Sequence, residues 1–325
     1  LGTFSVRSAT RVKVIGNIGN AAGGGVISTG NLILEAAQGH IGVSGTPMQL
    51  AVNTGSTFTG RAQGGVNVDF TGSATIDTVY SPQDVRLDTT GSLLNANDDQ
   101  LINVLGANVV LNATGTIGSG SRALNVGNAL GGGITASAGG LINLFGPANN
   151  LFVVKSATST TGSIALTAGF DGIIDGAVSG PGEIDLSAGG RLVISGVGSV
   201  HSTTGLVSVD ADSLKMINGA TITADLGRVL IDTAHDALVT GVTSGSADPY
   251  AVDIGAGGHV LAATDPNRLY DIKAMSAGAG VRIVAALGIG DETEADDKWA
   301  DGPNDAPGSA NAITSAGNAL RILSS

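Results

Sequence analysis

Carboxylates and imidazoles are the side chains here best suited to holding a metal or moving a proton, because the sequence has no cysteine. Seven of its 27 acidic residues lie between positions 291 and 305, beside its only tryptophan, Trp299. Carboxylates crowded this closely repel one another, and a hard cation with oxygen ligands relieves the repulsion. Asp291, Glu292, Glu294, Asp296 and Asp297 are therefore the candidate ligands of a calcium loop, and Ca2+ is the one cofactor the sequence suggests. The plainer reading is a solvated surface insertion, since loops vary and tolerate charge.

Two other groups could do chemistry. Asp98-Asp99 and the set Asp232, His235 and Asp236 could supply the paired carboxylates of a polysaccharide hydrolase or lyase. A pectinase-like enzyme would add Asn-Thr-Asp, Gly-His-Gly and Arg-Ile-Lys, and none of these is present. Acids in turns are usually just solvated. The histidines, His40, His201, His235 and His259, are dispersed, and two imidazoles without a third ligand do not make a metal site. Gly23-Gly24-Gly25 and Gly131-Gly132-Gly133 are followed by apolar residues, which suits turns and not a calcium nonapeptide or a phosphate cradle. Thr221-x-Thr223 is isolated, so it makes no regular threonine array. Aromatic platforms for sugar are few: Tyr80, Tyr250, Tyr270 and Trp299. No catalytic residue is assigned, and the expectation is a protein that is not an enzyme.

The elements that would position these groups follow from composition. Gly accounts for 52 of 325 residues, charged residues for 13% and hydrophobic residues for 42%. Short apolar runs separated by Gly, Ser, Thr, Asn and Asp indicate an all-β chain with many tight turns. The net charge of −12 argues against nucleic-acid partners, which need a basic surface. No apolar run reaches the ~20 residues of a membrane-spanning helix.

One phrase recurs: apolar-x-apolar-x-small, then Gly or a polar residue, then a second short apolar run. It appears as Ile164-x-Leu166-x-Ala168, Ile184-x-Leu186-x-Ala188, Val207-x-Val209-x-Ala211, Val229-x-Ile231-x-Thr233 and Val252-x-Ile254-x-Ala256. Its central positions, 166, 186, 209, 231 and 254, are spaced by 20, 23, 22 and 23 residues. The period within each run is two, so alternate side chains face opposite sides. The longer period is one coil of a solenoid, whose apolar face is buried only by stacking on its neighbours. The expected fold is all-β, a right-handed parallel β-helix with coils of about 20–23 residues occupying 1–290.

A larger duplication lies near 31–70 and 108–146. Leu32–Ala36 matches Val109–Ala113, Ile41-Gly42 matches Ile117-Gly118, and Leu50-x-Val52 matches Leu124-x-Val126. Gly64-Gly65 pairs with Gly139-Gly140 at an offset of 75. Residues 291–310 form the acidic inserted loop, and 311–325 return to a solenoid strand.

The runs Leu34-Glu35-Ala36-Ala37-Gln38-Gly39-His40-Ile41-Gly42 and Leu111-Asn112-Ala113-Thr114-Gly115-Thr116-Ile117-Gly118 resemble repeats of filamentous-haemagglutinin-type exoproteins. Pro47 and Leu50-x-Val52 complete the phrase in the first copy; the second lacks the proline. The resemblance spans most of 30–260. It implies a right-handed β-helix exported across a Gram-negative envelope, on the bacterial surface or outside the cell, acting in attachment or biofilm. Open coil ends present unpaired strand edges. The expected partners are thus further coils of a longer chain or neighbouring subunits end to end, together with surface glycans or host proteins. Two alternatives stand beside this: a subunit of an extracellular filament or surface layer, and a polysaccharide-degrading enzyme.

Overall fold

The computed structural model describes residues 4–6, 10–20, 26–97, 99–217, 219–262, 271–277, 279–291 and 322–323. Among them there is no helix. The chain divides into two compact units, Leu1–Gly162 and Ser163–Ser325. Each is built of parallel strands stacked as a β-solenoid, and together they hold about 11 turns.

The second unit shows why the short apolar phrase folds this way. Leu166 pairs with Leu186, Leu186 with Val209, Val209 with Ile231, and Ile231 with Ile254. The column continues to Ile283. All but Ile283 are buried. Each side chain sits on the same position of the coil before it, so one apolar stripe becomes a continuous core. Burying a Leu, Ile or Val fully is worth about 1.5–3 kcal/mol. The phrase ends in Ala168, Ala188, Ala211, Thr233 and Ala256, also in register and buried.

Two further ladders complete each coil. One stacks Leu192, Leu214, Ala237 and Val260. The other, which the repeat phrase does not reveal, stacks Val178, Val200, Ile222, Val242 and Ile272. Its strands are short, such as Ser199–Ser202 and Val242–Ser244. The two runs on either side of Gly189-Gly190 are one strand, Ile184–Ile194, with an irregularity between Ala188 and Arg191. A glycine pair is thus a bulge here and not a break.

The first unit has two main ladders. One passes through Thr10–Val14, Leu32–Ala36, Thr57–Ala62 and Ala74–Tyr80. The other passes through Met48–Val52, Val66–Phe70, Val85–Thr89, Val109–Ala113 and Ile134–Ala138. Phe58 and Phe70 meet edge to face inside, with ring centroids 5.2 Å apart.

Loops interrupt single strands of this unit. Ile41 pairs with Val66 and Met48 with Val68, so 42–47 is looped out of one strand. Ile117 pairs with Ile142 and Leu124 with Leu144, so 118–123 is looped out likewise. Gly42 and Gly118 open these loops with φ of 62° and 72°. A Cβ there would lie 2.0 Å from the Asn67 oxygen or 2.3 Å from the Asn143 oxygen, so only glycine fits. Asn67 Nδ2 donates to Val43 O at 2.7 Å, and Asn143 Nδ2 to Ser119 O at 2.6 Å. The backbone bonds equate Gly64 with Gly140, since each donates to the matching glycine, Gly39 or Gly115. Gly64 thus answers Gly140 and not Gly139, because the first copy has one more residue in the preceding turn. The copies also lie on opposite ladders: Leu32–Ala36 belongs to the first, Val109–Ala113 to the second.

Buried hydroxyls stitch several corners. Ser159 donates to Gly140 O at 2.8 Å and accepts from Gly162 N at 2.8 Å. Ser202 does the same with Gly182 O at 2.7 Å and Gly205 N at 2.9 Å.

The register yields two expectations. Val209→Asp buries an unpaired charge and should cost about 3 kcal/mol or more, whereas Ser208→Asp, on the outward face, should change little. Equal losses in thermal melts would show that the inward and outward faces are misassigned. Deleting residues 187–209 joins Leu186 to Asp210 and removes one coil in phase, so the variant should keep a β-rich circular dichroism spectrum. Deleting 187–208 leaves one residue too many and turns the strand's core side chains to solvent unless a bulge absorbs it. In-phase and out-of-phase variants equally sensitive to protease would contradict the coil assignment.

Candidate functional site

The sequence-predicted residues scatter when placed on the solenoid. Asp291 is the last residue of the strand Gly288–Asp291, and its backbone pairs with Ala262. The acidic segment therefore begins inside a strand, one position earlier than a free loop would. Glu292, Glu294, Asp296 and Asp297 lie outside the described residues, as do Asp98, Trp299 and Tyr270.

Asp99 caps a turn, its Oδ1 accepting from Leu101 N at 3.1 Å. The turn is pinned by buried asparagines. Asn103 Nδ2 donates to Ile76 O, Asp77 O and Asn95 Oδ1 at 3.2, 3.0 and 2.9 Å. Asn125 Nδ2 donates to Asp99 O and Leu101 O at 3.0 and 2.7 Å. Asn103 and Asn125 are buried, so their full pairing is what makes them tolerable inside. No spacing signal in the sequence marks this clamp, because both asparagines fall at positions that alternate with the apolar Val104, Leu124 and Val126.

Asp232, His235 and Asp236 do not converge. Asp232 points outward and is paired in register with Asp210 of the neighbouring coil. His235 Nδ1 lies 2.9 Å from Asp212 Oδ1, and Asp236 Oδ1 lies 3.1 Å from His259 Nδ1. His201 Nε2 and Asp225 Oδ2 make a third such pair at 2.9 Å. Each imidazole ties its own coil to the next, and among the described residues no group of three ligating side chains could hold a metal ion.

Two charged sets stand out on the second unit. Around Asp253, Arg282 makes a two-pronged contact at 2.8 and 2.6 Å. Arg282 also lies 5.3 Å from the centre of the exposed Tyr250 ring, and Arg228 Nε donates to Tyr250 O at 3.0 Å. The Asp253 carboxylate raises the Arg282 pKa further. This cluster fastens the Tyr250 turn across coils. Nearby, Asp210 and Asp232 stack in one outward column, and Asp185 stands in the neighbouring column, paired with Ser208. Crowding by neighbouring rungs strips hydration from Asp185, and the charges of Glu183 and Asp210 add to this, so its pKa is raised.

The first unit carries a broad surface concavity among the described residues. A groove of about 840 Å3 is lined by Gln38, His40, Gln63, Asn67, Gln83 and Arg86, among others. Of these residues the sequence singled out only His40, because isolated glutamines carry no spacing signal until the coils stack them. His40 Nδ1 accepts from Gly65 N at 2.7 Å, and Asp84 Oδ1 accepts from Asn108 Nδ2 at 2.9 Å. A corresponding groove of about 640 Å3 at the second copy is lined by Thr114, Thr116, Ser137, Thr160 and Thr161.

The two shifted carboxylates predict opposite responses. Asp185 keeps its proton to higher pH when folded, so its ionisation destabilises the fold as pH rises through the raised value. Asp185→Asn should therefore raise the melting temperature at pH 7, with the gain fading below the ordinary carboxylate range of about 4. Glu35, lowered by a hydrogen bond from Arg11, stabilises above the ordinary value and loses that as pH falls. Glu35→Gln should thus lower the pH 7 melting temperature slightly. Melts of both variants at several pH values check the signs; a gain for Glu35→Gln or a loss for Asp185→Asn contradicts the assignment.

Compared with known protein families, curated proteins and solved structures, the chain matches none.

Proposed function

We propose that this chain is a structural and adhesive β-solenoid segment of an exoprotein secreted by, or displayed on, a bacterium, and that it acts in attachment or extracellular assembly. The observation that carries this reading is the in-register stack itself. It sets outward side chains in columns, as in Thr167, Ser187, Asp210 and Asp232, and so offers a regular polar face to a surface. The repeat phrase supports it, since Ile41-Gly42 and Ile117-Gly118 are the same motif that resembles filamentous-haemagglutinin-type repeats. Asp99 caps a separate turn, and Asp232, His235 and Asp236 each face a residue of a neighbouring coil and not one another, which favours attachment over glycan cleavage.

The test is to display the chain on a non-adherent bacterium and count cells retained on plastic and on epithelial layers under flow. Retention at least tenfold above the undecorated strain is expected. Purified chain incubated with polygalacturonate and alginate should leave their length unchanged. Retention no better than the control would sink the proposal, and shortening of either polymer would replace it with the enzymatic alternative.

A further inference from the structure

The groove on the first unit has an internal control in its own copy. Both copies share the architecture: the Ile-Gly entry, the pinned loop, and the glycine carrying the next coil past it. They differ in what faces outward. Aligned through Gly39 and Gly115, Gln38 and His40 stand where the second copy has Thr114 and Thr116. Gln63 precedes Gly64 where Gly139 precedes Gly140. The amides and the imidazole are thus additions to a frame that holds without them.

They are also built in. The His40 ring lies flat on Gly64, where a Cβ would come within 2.6 Å of its Cε1 and Nδ1. Gly65 N can only donate, so Nδ1 accepts and the neutral ring carries its hydrogen on Nε2. Nε2–H is left as a fixed, exposed donor. Gln38, Gln63 and Gln83 come from consecutive coils, and among the described residues their carboxamides have no hydrogen-bond partner. Arg86 gives only Nε to Asp88, at 2.7 Å. Each free carboxamide donates and accepts at once, as a sugar hydroxyl does, and the rows repeat at the coil spacing of roughly 4.8 Å.

We propose that this groove binds a neutral, linear glycan laid along the stacking direction. The inference deepens the attachment reading and rests on it. The groove's charges are one Arg86 beside Asp84, with Asp88 already holding Arg86, and the chain's net charge of −12 repels polyanions. A peptide adding as a strand would need free backbone edges. Here Gly64 N, Ile41 N and Asn67 N already bond to neighbouring coils.

The test is calorimetry of the whole chain with cellohexaose, laminarihexaose and the hexamer of N-acetylglucosamine, with hexagalacturonate as the acidic comparison. The variant carries Gln38→Thr, His40→Thr and Gln63→Ala, the first two copied from Thr114 and Thr116. The wild type should bind at least one neutral hexamer, more tightly than hexagalacturonate. The triple variant should bind it at least tenfold more weakly with an unchanged melting temperature. If the triple variant melts earlier, Gln38→Ala with Gln83→Ala, which removes only unpartnered amides, should show the same loss. No neutral hexamer bound by the wild type, equal binding by the variants, or preference for hexagalacturonate overturns the proposal. Cells displaying the chain separate the two readings. Undiminished retention of the triple variant discards only the groove, whereas failure of the wild type to retain cells discards attachment.

Discussion

Parallel, in-register pairing between consecutive coils is the constraint on which the rest of the molecule depends. A coil has no core of its own; Val209 is buried only because Leu186 and Ile231 occupy the same position on either side. Alternation by two then fixes everything else. Once Val209 faces in, Ser208 and Asp210 must face out, and so must their equivalents. The register sets the core and the surface with one choice, so outward chemistry comes in columns whether or not it is favourable. Asp210 beside Asp232 is the unfavourable case, like charges on neighbouring coils.

Where the chain leaves a strand, the constraint relaxes in a limited way. Length varies in the turns and in the looped-out segments, but each exit is still tied to the coil before it. Ser159 and Ser202 do this with a buried hydroxyl, Asn103 and Asn125 with buried amides, and Asp212 and Asp236 with imidazoles from the next coil. The groove of the first unit uses the same freedom. Gln38 rides on a turn tied down by its neighbours and keeps its carboxamide free, while His40 holds Gly65 N through Nδ1 and turns only Nε2 outward.

The strand phrase was legible in sequence because its apolar spacing is the physical requirement for stacking, and the positions 166, 186, 209, 231 and 254 fall into one column. The third ladder was not, because strands such as Val242–Ser244 are too short to show a period. The opposite placement of the two copies was hidden too, since sequence offset does not say which ladder a strand joins. Charge misled for a similar reason. Asp232, His235 and Asp236 are neighbours along the chain, but their partners are a coil away, at Asp210, Asp212 and His259. The groove was invisible for the converse reason: Gln38, Gln63 and Gln83 are far apart in sequence and adjacent only once stacked.

The backbone bonds between coils point along the stacking direction of each unit, and this gives the fold a mechanical character. A pull along that direction loads all the bonds of one coil-to-coil junction side by side, while successive junctions lie in series and each bears the whole load. The weakest junction sets the yield force. A coil of about 22 residues that peels away frees roughly 70 Å of chain, while the coils behind it keep their pairing. An element of this kind would lengthen under load coil by coil, one junction at a time.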